Sequence, residues 1–98
     1  MAGEMRCIDL DAKTWCTRED VYVALLAALK APAWHGHNLD ALHDSIVTGS
    51  INKIEPPFSI TISNGQLASG EAQHFMRKLA DLFQDFVNEG CPVSFVVR

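Results

Sequence analysis

The sequence predicts a two-layer α/β fold, in which a small parallel sheet packs against helices. Three observations predict it. Strand-like stretches stand at residues 5–10, at 58–63 and at the C-terminal end. Segments with apolar residues at helical spacing lie between them, and helical connections between successive strands favour parallel pairing with right-handed crossovers. A sheet of only three strands is covered more economically on one face than on two. At 98 residues the chain is long enough for a modest core without staples and reads as a single domain over 1–98.

Taken in order, "MRCIDL" (5–10) alternates apolar and polar side chains. Thr17 followed by Asp20 forms a capping-box pattern, with Glu19 and Asp20 suited to the positive end of a helix. Val21, Leu25, Leu26 and Leu29 then give an amphipathic helix over 18–30, which Pro32 ends. Asn38 is a good N-cap for a second helix whose buried stripe is Leu39, Leu42 and Ile46. Asp40, His43, Asp44 and Val47 fall on the flank beside that stripe, the two aspartates one turn apart. Pro56 and Pro57 lead into the strand "FSITIS", and Asn64-Gly65 turns the chain after it. A long helix is expected over 70–89, capped by Ser69 and striped by Phe75, Met76, Leu79, Leu82, Phe83, Phe86 and Val87. Gly90 is placed as its C′ residue. "CPVSFVVR" supplies the last strand.

Composition narrows the function. The apolar fraction of 48% and charged fraction of 20% are those of an ordinary globular protein, and no apolar run is long enough to span a membrane. The first residues lack the apolar core of a signal peptide. Cys7, Cys16 and Cys91 are odd in number and widely spaced, as expected of buried free thiols in a reducing cytoplasm, with Cys16 the most exposed. The net charge is −4 and the basic residues form no stripe, which argues against direct nucleic-acid binding. Between Lys30 and Lys53 there is no Lys or Arg, whereas Asp40 and Asp44 lie inside that window. Such a local acidic field suits a cationic partner.

The chemistry concentrates in "WHGHNLDALHD", residues 34–44. His35 and His37, with Asp40 or His43, have the spacing of a weak metal clamp, but no cysteine lies near to complete a structural site. His43 beside Asp40 or Asp44 could be an acid–base pair, although no nucleophile elbow or phosphate loop accompanies it. A protein-binding face is the third reading. Trp34 would be its aromatic anchor, Asn38 the helix cap, and Asp40 and Asp44 its parallel acids. Trp34 covering the core edge is an equally good account of that residue.

The run "APAWHGHNLDALHDSI", 31–46, with its intact "GxNLDALxD", resembles the barstar family, intracellular inhibitors of barnase-type ribonucleases. The likeness extends more loosely over nearly the whole chain. It implies three parallel strands in the order 1-2-3, no enzymatic activity and no cofactor or metal. The implied partner is an extracellular-type ribonuclease or related nuclease toxin, met in the cytoplasm. A monomer is favoured, although an exposed Trp34 could serve a dimer as well as an enzyme. By resemblance, Asp44 is the principal acid that takes the place of a substrate phosphate, and Asp40 is a second interface acid. Trp34 stands at an interface tyrosine, Gly36 at a loop glycine that lets the enzyme approach, and Asp85 at an acid on the last helix. His35, His37 and His43 join Asn38 among the partner-binding residues. The three histidines replace a tyrosine, a commonly acidic residue and a tryptophan, so they bear on which partner is met. The same fold serving as a binding module for a non-nuclease partner is the alternative.

Overall fold

The computed structural model describes residues 6–49 and 51–98. The elements run β1 (Arg6–Asp11), α1 (Arg18–Ala28), α2 (Leu39–Thr48), β2 (Phe58–Ser63), a short 3-10 turn (Gly65–Leu67), α3 (Gly70–Asn88) and β3 (Val93–Val97). The three strands form one parallel sheet in the order β1-β2-β3, as the resemblance implied. The expected strand start at Met5 lies outside the described residues. The 3-10 turn follows Asn64, which adopts the left-handed conformation, at the Asn64-Gly65 turn expected after β2.

Parallel sheets are usually apolar on both faces, but this one alternates. Phe58, Ile60 and Ile62 of β2 are buried, whereas Ser59, Thr61 and Ser63 are half-buried. Register extends the division across the sheet. Ile8 and Phe95 flank Ile60, while Cys7 and Ser94 flank Ser59. On that polar row the Ser94 hydroxyl donates to Ser59 Oγ at 2.7 Å. The apolar row meets α1, which contacts β1, and α3, which contacts β3; these two helices also contact each other. α2 makes its main contact with α3.

Packing is centred on aromatic rings. Phe58, Phe83 and Phe86 are fully buried, with Phe83 edge-on to both others at centroid distances of 6.5 and 5.1 Å. Trp15 is also buried, and its carbonyl accepts the Ser69 N–H at 3.1 Å. That bond joins the approach to α1 with the approach to α3.

Helix ends follow local chemistry. Thr17 Oγ1 accepts from the Asp20 N–H at 3.2 Å, and the Asp20 carboxylate accepts from the Thr17 N–H at 3.1 Å, completing the expected capping box. α1 ends at Ala28, before the expected residue 30, because Lys30 turns left-handed at φ 55°. Its N–H then donates to Ala27 O, and that of Ala31 donates to Leu26 O. Gly90, at φ 89°, ends α3 in the same way, with the Cys91 N–H donating to Phe86 O at 2.9 Å. Ser69 occupies the N-cap position but makes no side-chain capping bond.

Two packing expectations are corrected. Val87 lies on the outer side of α3 and is exposed, since it falls one position past Phe86 on the helix. Cys7 is exposed, on the polar row of an edge strand, and Cys91 is half-buried; Cys16, in the turn before α1, is exposed as expected.

Asp20 also accepts the Cys16 N–H, at 2.8 Å. The backbone bonds from Cys16 and Thr17 hold its carboxyl below the usual carboxylate range. A carboxyl depressed in the folded state stabilises above its unfolded pKa, and that contribution is lost as pH falls through the folded value. Asp20→Asn should therefore melt below wild type at pH 7, with the gap narrowing as pH falls below about 4. Thermal melts at several pH values check this, and a gap independent of pH would contradict it.

Candidate functional site

Rotation about the axis of α2 decides what the site displays. Leu42 and Ile46 are buried and Leu39 is partly buried, so the opposite flank must face out. Asp40 and Asp44 are both exposed on that flank, one turn apart. Asn38 starts the helix, its side-chain oxygen accepting from the Ala41 N–H at 2.7 Å. A Cβ on Gly36 would stand 2.8 Å from Asn38 Nδ2, so the glycine leaves room for this cap.

The loop before α2 is pinned from inside. Pro32 O accepts the His35 N–H at 3.0 Å, closing a turn whose third residue is Trp34. Neighbours in that turn point oppositely. Trp34 is 75% exposed and His35 is 6% exposed. Trp34 therefore does not cover the core edge.

His35 Nδ1 lies 2.7 Å from Gly36 O, and Nε2 lies 2.9 Å from Ser45 Oγ. A carbonyl can only accept, so His35 Nδ1 donates to Gly36 O, while the Ser45 hydroxyl, beside Nε2, also reaches the Leu42 carbonyl at 3.1 Å. Asn52 Nδ2 donates to the same Ser45 oxygen at 3.1 Å. All three side chains are buried. This knot ties the 32–38 loop, α2 and the loop after α2 together.

The expectation that His35 faces a partner is corrected accordingly, because its ring is consumed by this internal network. The other two histidines reach sideways. His37 Nδ1 lies 2.6 Å from Glu19 Oε2, and its ring stacks on Tyr22 of α1 at 5.8 Å. His43 Nε2 lies 3.3 Å from Glu89 Oε2, with its ring stacked on Phe86 of α3 at 5.5 Å. Both pairs are partly solvated, so each contributes only about 0–1 kcal/mol and serves mainly to orient the side chains. Because these rings diverge, the His35–His37 metal clamp is not formed. Among the described residues, no group of three or more His, Cys, Asp or Glu side chains could hold a metal ion. Nor does His43 form the acid–base pair with Asp40 or Asp44, since its partner is Glu89.

The contact between His43 and Glu89 brings the end of α3 alongside α2. Asp85 precedes Glu89 by one turn on the same side of α3 and is exposed. Three exposed carboxylates, those of Asp40, Asp44 and Asp85, thus border the α2–α3 junction. None of them makes a side-chain hydrogen bond or ion pair among the described residues. A face of this kind can receive a cationic surface without first breaking internal pairs.

Ser45, Asn52, Glu19 and Glu89 were not among the residues expected to shape the site. Ser45 did leave a signal, standing at i+3 from Leu42 and i−1 from Ile46 on the buried side of the helix. A hydroxyl there needs a partner. Ser45→Ala should lower the unfolding free energy by about 1–3 kcal/mol, because it strands a buried imidazole nitrogen and a buried amide. Urea unfolding measures this. A loss under about 0.5 kcal/mol, the scatter of neutral surface changes, would contradict the knot.

Comparison with known families agrees with the motif and the fold. The family model described as barstar (barnase inhibitor) matches residues 5–98, essentially the entire chain. No curated protein matches it. With the three-stranded parallel sheet and the acidic helix in place, the chain belongs to the Barstar family.

Proposed function

We propose that this chain is an inhibitor, of the immunity-protein kind, that plugs the active site of a barnase-type ribonuclease or related nuclease toxin. The observation that carries the reading is the pair of exposed carboxylates on α2, Asp40 and Asp44, unpaired among the described residues and held outward by the buried Leu42 and Ile46. A ribonuclease active site gathers cations to bind phosphate. A carboxylate entering it replaces the substrate's charge and excludes RNA. Asp44 takes the principal phosphate place and Asp40 a second one. Asp85 reaches the rim from α3, and Trp34 packs as an aromatic anchor beside the cleft. Gly36, within the turn that His35 locks, lets the enzyme approach the backbone closely, while Asn38, His37 and His43 border the contact.

The inhibitor performs no chemistry and needs no metal or cofactor. It acts as a single-domain monomer in the cytoplasm, binding protein and not nucleic acid or membrane. No helix among the described residues is long and apolar enough to cross a membrane. The net charge of −4 favours rapid encounter with a basic enzyme, and the buried charge pairs then slow release.

Calorimetric titration against a panel of barnase-type ribonucleases tests the reading. Asp44→Ala should weaken binding by about 2–5 kcal/mol, the general cost of stranding one member of a buried charge pair. Unchanged affinity of Asp44→Ala would move the interface elsewhere and favour a binding module for another class of partner.

A further inference from the structure

The acidic face has a neighbour of opposite sign. A cavity of about 290 Å³ lies between α1, α3 and the start of α2. Its floor contains the buried rings of Tyr22 and Phe75, whose centroids are 4.8 Å apart. His37, stacked on Tyr22, forms one wall. Arg18 from α1 and Lys78 from α3 also line it, and both are exposed. Neither cationic head makes a hydrogen bond or ion pair among the described residues. Asp40 is the one carboxylate in the lining.

Burial pushes the Tyr22 phenol above its ordinary range, the Arg18 charge pulls it the other way, and the Glu19 charge adds to the upward push. The guanidinium is therefore within electrostatic reach of the ring at the cavity floor. Two unpaired cations beside a phenol, in a chain of net charge −4, make a local site for a carboxylate. Asn38, Leu39 and Asp40 line the cavity as well, so it is continuous with the start of the candidate inhibitory helix.

We propose that this cavity is a second part of the partner interface, a socket that receives an acidic side chain of the nuclease beside the contact made by Asp40. The inference rests on the inhibitor reading. The interface then changes sign over a short distance, offering acids to the cationic cleft and cations to an acid on its margin. Such alternation fixes register and rejects nucleases that lack the matching acid. Being built from residues 18, 22, 75 and 78, the socket discriminates among partners that would all accept an acidic helix.

The test turns on opposite signs. Long-range charge alone predicts that deleting a cation from an acidic inhibitor speeds its association with a basic enzyme and tightens the complex. The socket predicts the reverse. Arg18→Ala and Lys78→Ala should each loosen binding by about threefold to tenfold, mainly through faster dissociation. Arg18→Lys should retain most of the affinity. The measurement is stopped-flow association and dissociation with the barnase-type ribonuclease that the wild-type chain binds most tightly. Asp44→Ala serves as the control, and matched thermal melts show that the variants fold. If Asp44→Ala weakens binding but Arg18→Ala and Lys78→Ala bind equally or more tightly, the socket is overturned and the inhibitor reading stands. If the wild-type chain binds none of these ribonucleases, both fall together.

Discussion

Burial of Leu42 and Ile46 under α2 is the constraint on which the rest of the molecule's display depends. A helix has one rotational degree of freedom, and the apolar stripe removes it. Once those side chains face the core, the positions of Asp40 and Asp44 on the solvent flank follow from the helical period alone. α2 has little support from the sheet, its main contact being with α3. The other restraints are the Asn38 cap, the buried His35–Ser45–Asn52 knot, and the contacts of His37 and His43 with α1 and α3. Each fixes a different edge of the same small unit.

That arrangement separates two roles that a carboxylate can play. Asp20 is used internally, its charge satisfied by backbone N–H groups at the start of α1. Asp40, Asp44 and Asp85 are left without partners among the described residues. Exposed acids in water cost the fold little, but their unspent charge is available to a cationic surface. Glu19 and Glu89 stand nearby yet are engaged by His37 and His43, so the open acidity concentrates on the aspartates.

Much of the fold was legible because it rests on local patterns. The alternation of "FSITIS", the Thr17–Asp20 box and the Asn38 cap are each visible within a few residues, and each appears in the structure. The rotation of α2 was legible for the same reason. The left-handed end of α1 at Lys30 was not, since glycine is the usual residue there and Pro32 offered a plausible later stop. The fate of the histidines was also hidden. Whether a ring points in or out depends on residues well away along the chain: Ser45 for His35, Glu19 for His37 and Glu89 for His43. The cationic cavity is the extreme case, assembled from separate helices with no motif in common.

The central claim is that the acidic face of α2 occupies the place of RNA. The direct measurement is steady-state inhibition of a barnase-type ribonuclease at several RNA concentrations, using the intact chain. Competitive inhibition is predicted, with the apparent KM rising in proportion to the chain's concentration and kcat unchanged. Inhibition that lowers kcat at saturating RNA, or the absence of inhibition by a chain that still binds the enzyme, would contradict it.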